Sequence, residues 1–193
     1  MNETEYKGLG HKEVNKLANI NPRFHRISSM LLDHILMCII VVPLSILIFV
    51  IVLNFENNLN KWIGIGLMFL PFFIYLNKDF FNAKSPAKRI LGYQVIDRKT
   101  KKPASELQCF IRNLTICIIW PIEVIVGLIN SERRIGDFFV NTKVIQAEKE
   151  KLTTIWSELK KTQLKPSYLI IIVIGLVYFY GLSQIMPSTP MLE

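Results

Sequence analysis

The stretch RISSMLLDHILMCIIVV, Arg26 to Val42, decides how the chain is read. Behind its arginine it is apolar enough for a bilayer, except for Asp33 and the histidine directly after it. The apolar run continues to about Leu53, and crossing a hydrocarbon core of ~30 Å takes about 20 helical residues. A first membrane helix is therefore predicted to start at Asn21-Pro22. Asparagine can cap the free amides there, and proline suits the first helical position. Pro43 is expected to kink this helix.

Outward from that stretch, three more apolar blocks follow. WIGIGLMFLPFFIYL predicts a second helix from Trp62 to about Phe81, bent at Pro71, after the short connection NFENNLNK. The last run, Ser167 to Met186, predicts a final membrane helix. Between them, LQCFIRNLTICIIWPIEVIVGLIN covers residues 107–130 and is flanked by Lys99, Lys101 and Lys102 before it and Arg133 and Arg134 after it. Positive charge marks the cytoplasmic side, so both ends belong there. With Pro121 favouring a break, a re-entrant pair of short helices is preferred to a full span. RILGYQVID and DFFVNTKVIQA, residues 89–97 and 137–147, read as two strands able to pair as a cytoplasmic ribbon. Leu152, Ile155, Trp156 and Leu159 fall at helical spacing among lysines, the pattern of a helix lying on a membrane surface.

The expected fold is thus an all-α polytopic membrane protein: a small helical bundle with a re-entrant helical hairpin and a short cytoplasmic β-ribbon. Its parts are a cytoplasmic tail (1–20), a membrane domain (21–147), an interfacial helix (148–166), and a final membrane helix with a short tail (167–193). The tail has no apolar signal core, so the first helix is expected to remain as an anchor. The expected location is the inner (cytoplasmic) cell membrane, with several passes and the N-terminus inside.

The 193 residues are 51% hydrophobic and carry a formal charge of +8. The lysines and arginines cluster beside apolar segments, which points to anionic lipid and not to nucleic acid, for which no reading motif is present. Cys38, Cys109 and Cys117 have neither metal-ligand nor redox spacing, so they read as reduced, buried thiols. No HExxH pair, P-loop or GxSxG elbow suggests catalysis, and no cofactor is implied. Ser85, before a proline, reads as part of a turn. A bundle this thin cannot enclose a pathway alone, so a homo-oligomer or larger membrane complex is expected.

Seven residues separate Arg26 from Asp33, nearly two helical turns. They share one face about 10 Å apart along the axis. Arginine points back toward the helix start, so the two are not expected to pair directly. Arg26 suits an interfacial anchor or a functional site equally well. Asp33 needs company, because an unpaired charge in the bilayer costs at least ~2.5 kcal/mol; a buried structural pair and an ion site weigh alike. His34 points about 100° away and reads as a hydrogen-bonded packing residue before a proton relay. On a hairpin, Arg112 could approach Asp33, while Glu123 is expected near a wet tip.

With these residues in view, the chain resembles the RDD family of membrane proteins, named for an arginine at the start of the first helix and two aspartates. Arg26 and Asp33 have the spacing, and Asp137 in RRIGDFFVNTKVI is similar to the second aspartate. SPAKRILGYQVID resembles the family's serine/threonine-proline-glycine-lysine stretch, which puts Lys88 and Gly92 on pattern, and FIRNL matches its arginine-asparagine pair at Arg112 and Asn113. Ala87 stands where glycine is usual, and Val140-Asn141 where alanine-glycine is usual. The motifs cover residues 21–147 and leave out the final helix. The resemblance implies a membrane protein for which transport of ions or other ligands has been suggested, with Arg26, Asp33, Lys88, Arg112 and Asp137 as the residues of interest. Two readings follow: an ion-coupling transporter built around Asp33, or an accessory, assembly or scaffold subunit in which these charges form a structural network.

Overall fold

A computed structural model describes residues 22–54, 60–130 and 132–185. The predicted tail, the Asn21 cap, most of the first connection and the chain beyond 185 lie outside them. The described residues form α1 (Pro22–Asn54), α2 (Lys61–Leu76), α3 (Pro86–Leu91), β1 (Tyr93–Asp97), α4 (Glu106–Leu114), α5 (Ile116–Ile129), α6 (Ile135–Phe139), β2 (Thr142–Gln146), α7 (Thr153–Lys161) and α8 (Pro166–Ile185).

Helices α1 and α8 are long and apolar enough to cross a membrane, and only 17% of each apolar window is buried inside the protein. Their outward faces carry Ile35, Ile39, Ile46, Leu169 and Leu176, each more than half exposed. So large an apolar surface suits lipid and not water. Pro43 lies inside α1, whose helix continues past it.

Helix α2 is shorter than the sequence suggested. It ends at Leu76 and not near Phe81, giving 16 residues, or roughly 24 Å at 1.5 Å per residue. Asn77 terminates it: its backbone N–H is shared between Phe73 O and Ile74 O, while its side chain donates to Phe73 O. Asn82 and Ala83 then take positive φ values of 52° and 54°, which helix cannot continue through. The early stop releases Lys78 and Asp79 from the helix and turns them inward.

Residues 107–130 form two helices, α4 and α5, as the proline signal suggested, but the break falls ahead of Pro121. Thr115 separates the helices, and Ile119 has non-helical φ/ψ of −130° and 33°. Pro121 then sits in the first turn of the resumed helix, where its missing N–H costs nothing. The two expected strands pair antiparallel, with Tyr93 opposite Gln146 and Asp97 opposite Thr142; the first starts at Tyr93 and not Arg89, because Pro86–Leu91 is helical and ends at Gly92. The second starts at Thr142 and not Asp137, because Ile135–Phe139 forms a helical turn in which Asp137 accepts from Arg134 N. Asn141, at φ 54°, reverses the chain into the strand. It is one of the few residues besides glycine that takes this conformation readily, so the unusual asparagine keeps the turn.

Three apolar clusters hold these parts. Tyr93, Val95, Ala104, Cys109 and Val144 fix the ribbon on α4. Met37, Val41, Tyr75 and Ile116 join α1 to α2 and α5. Leu76, Phe110, Ile171 and Phe179 seat α8, where Phe69 stacks on Phe179 at 4.8 Å.

Candidate functional site

The sequence SPAKRILG builds a capped one-turn helix that presents a lysine. Ser85 accepts from Lys88 N, Pro86 occupies the first turn, and Gly92 closes α3 at φ 74°. A side chain on Gly92 would also come within 2.7 Å of Ala147 O. Ser85 is therefore the cap of a short helix and not the simple turn residue the sequence suggested. Lys88, 3% exposed, places Nζ 2.5 Å from Asp79 Oδ1, 3.2 Å from Asp33 Oδ2 and 3.0 Å from Ser85 Oγ. Those contacts use all three ammonium donors. Ala87 N also points at Asp33 Oδ1, 3.4 Å away.

From there the charges alternate along a buried string. Lys78 Nζ lies 3.6 Å from Asp33, Asp33 meets Lys88, and Lys88 meets Asp79. Asp79 faces Arg112 Nη1 at 3.6 Å, and Arg112 Nε lies 2.9 Å from Asp137. Asp137 stands 3.9 Å from Arg134 Nε, which lies 3.4 Å from Glu123. Four cations and four carboxylates thus run in strict alternation, drawn from α1, the segments around α2 and α3, α4, α5 and α6. Neutral donors complete it. Thr142 Oγ1 donates to Asp137 Oδ1 at 2.7 Å; Asn113 donates to Leu76 O and Asp79 and accepts from Arg134. Glu123 Oε1 accepts from Thr115 and from Gly136 N.

The electrostatics outside the membrane helices follow from this company. Burial pushes the Asp79 carboxyl up, but Lys88, Arg112 and Lys78 outweigh it and hold it below the ordinary carboxylate range. Asp137 behaves alike, with Arg112 and Arg134 overcoming its burial. Lys78 differs. Burial pushes its ammonium down to about 8, and the pull of Asp33 recovers only part of the loss.

The five residues singled out in the sequence divide here. Asp33 meets Lys88, Arg112 meets Asp137, and Asp79 links the two pairs. Arg112 does not pair with Asp33; two residues stand between them in the string. Arg26 is buried at 4% exposure with its guanidinium 5.5 Å over the Tyr93 ring, and no described carboxylate pairs with it. Glu123 is fully buried and not wet, because α6 closes over it. His34 Nδ1 lies 3.0 Å from Tyr75 Oη, a packing role. Sequence reasoning missed Lys78, Asp79 and Thr142. Lys78 and Asp79 were hidden by extending the second helix to Phe81; an acid-base pair ending an apolar run was the signal.

Helix α7 docks by its polar side. Arg89, fully buried, bonds Thr154 Oγ1 at 2.8 Å and pairs with Glu150 and Glu158. Trp156, 64% exposed, Leu152 and Leu159 face outward.

This chain belongs to the RDD family, whose model matches residues 21–187. The match runs through α8, beyond the motif-bearing region, so the final helix is part of the family unit. No curated protein and no solved structure matches the chain. Family membership together with the apolar helices makes it a membrane protein.

Proposed function

We propose that this protein exchanges protons for a monovalent cation across the inner membrane, as a homo-oligomer with its N-terminus and ribbon on the cytoplasmic side. Asp33 is the cation seat and Lys78 the proton carrier. The supporting observation is that Asp33, on a membrane helix, is shared between a tightly engaged Lys88 and a loosely held Lys78 whose proton leaves at about 8. When Lys78 gives its proton to water, the string is left with one uncompensated negative charge beside Asp33. A cation entering there restores neutrality, and its departure is matched by reprotonation of Lys78. The positive flanks of residues 107–130 support the orientation and a re-entrant α4–α5 pair.

The test is flux in reconstituted vesicles. Asp33→Asn is expected to abolish cation movement, and Lys78→Met to remove its coupling to protons. Undiminished flux in Asp33→Asn removes the seat. Labelling of a cysteine at position 133 from the outside would replace the re-entrant pair with a full span.

A second reading, an accessory or scaffold subunit, is supported by α7. Its outward Trp156 and Leu159 offer a surface for lipid or a partner subunit. A stoichiometric partner on purification, with no flux, would favour it.

A further inference from the structure

The buried charges do not balance. The string of Lys78, Asp33, Lys88, Asp79, Arg112, Asp137, Arg134 and Glu123 is neutral, and Arg26 is a ninth charge beside it. Its Nη1 is buried and has no hydrogen-bond partner among the described residues. The same holds for Ser29 Oγ and His25 Nε2 on the same helix, with Ser29 1% and His25 9% exposed. Residues 25, 26 and 29 fall within a 100° arc of α1, and 29 is one turn from both others, so the three side chains neighbour one another.

Tyr93 on β1 orients the group. Its Oη lies 2.6 Å from His25 Nδ1, and its ring lies under the Arg26 guanidinium. With Tyr93 donating to Nδ1, the neutral imidazole carries its proton on Nε2. The cluster then offers three donors, a guanidinium, a hydroxyl and an imidazole N–H, and its only acceptor is the hydroxyl oxygen. A buried cation left uncompensated is strongly unfavourable, and donors of this kind suit an oxyanion.

We propose that His25, Arg26 and Ser29 form a binding site for a phosphate oxyanion, whose oxygens take the three donors and whose charge offsets Arg26. Its position in the first turns of a membrane helix, next to the exposed Arg23 and Phe24, places it at headgroup depth. The phosphate could come from a lipid headgroup or from solution; the recognition chemistry is the same. The site is separate from the Asp33 seat and stands whether or not the protein moves cations.

The experiment uses the full chain purified in a maltoside detergent, with thermal unfolding as the readout. Inorganic phosphate is titrated in one arm and phosphatidylglycerol in mixed micelles in the other, with sodium chloride at matched ionic strength as reference. A saturable rise in Tm with phosphate identifies a free anion, and a rise with phosphatidylglycerol alone identifies a headgroup. Both support the site. Ser29→Ala, which breaks no hydrogen bond among the described residues, should leave the unliganded Tm unchanged and weaken the anion about tenfold, the usual loss for a hydrogen bond to a charged group. Arg26→Gln should abolish the response without lowering the unliganded Tm. A response in Ser29→Ala and Arg26→Gln equal to the parent protein, a chloride effect as large as that of phosphate, or no response in either arm overturns the proposal.

Discussion

Asp79 Oδ1 and Lys88 Nζ stand 2.5 Å apart, both buried, and their contact joins two oppositely charged halves of one network. Lys78, Asp33 and Lys88 on one side carry a surplus positive charge. Asp79, Arg112, Asp137, Arg134 and Glu123 on the other carry a surplus negative one. Through this link the aspartate of α1 is tied to α4, α5 and α6.

Asp79→Asn should therefore be far costlier than its size suggests. It keeps the shape but leaves Lys88 and Arg112 short of a counter-charge, and breaking a buried pair costs about 3–5 kcal/mol. Glu132→Gln removes an exposed partner of Lys143 and should cost no more than about 1 kcal/mol. Denaturation of both variants in detergent checks the contrast; equal, small losses would mean the string adds little. The pH dependence has a fixed sign. Asp79 and Asp137 are held below the ordinary carboxylate value of 3.8, so the stability they supply is present above it and is lost as pH falls further.

Lys78 should give a trend of the same sign at the alkaline end. Its value falls from 10.5 when unfolded to about 8 when folded, so between those values the unfolded chain binds the extra proton. Stability should rise as pH climbs from about 8 toward 10, by on the order of 3 kcal/mol. Lys78→Met should flatten that slope. An unchanged slope in the variant would assign the effect to another group.

How far the sequence carried this picture depends on the range of each signal. Apolar blocks and turn signals act locally, so α1, α8 and the pairing of two strands were legible, whereas α3, a single capped turn, was hidden inside the stretch read as turn and strand. The end of α2 was not, because Asn77 and the positive φ values at Asn82 and Ala83 work against a still-apolar sequence. Asp33, Lys88, Arg112 and Asp137 stood out as charges near apolar sequence. Which of them touch is set by tertiary packing, and Asp79, the residue that connects them, has no motif of its own. Glu123 was misread for the same reason: only α6 folding over it makes it dry.

Gly136 should tolerate no side chain. A Cβ there would clash with Arg112 O, a backbone atom that cannot move without shifting α4. Gly136→Ala should cost at least the ~1–3 kcal/mol of ordinary overpacking and also disturb Glu123, which accepts from Gly136 N. Gly66→Ala, where nothing lies within 4 Å, should be neutral or stabilise α2 by about 0.5–1 kcal/mol. Thermal unfolding separates the two. Comparable Tm values would show that α6 is free to back away from α4.

Helix α7 should lie in the interface by the face it turns away from the protein. Thr154 and Glu158 point to Arg89, the positions of Leu152, Trp156 and Leu159 lie on the far side, and Ile155 sits at the edge between them. In water this arrangement would expose the apolar stripe and turn the polar one toward the protein, the reverse of what folding favours. At a bilayer surface it is favourable, with the apolar face sunk ~5–10 Å below the headgroups. In a protein whose Trp62 and Trp120 are replaced by phenylalanine, Trp156 fluorescence should be quenched strongly by lipids labelled near the headgroup and weakly by lipids labelled at the chain ends. Free quenching by aqueous iodide, with no effect of either lipid label, would place α7 in solvent and leave its exposed tryptophan to a protein partner.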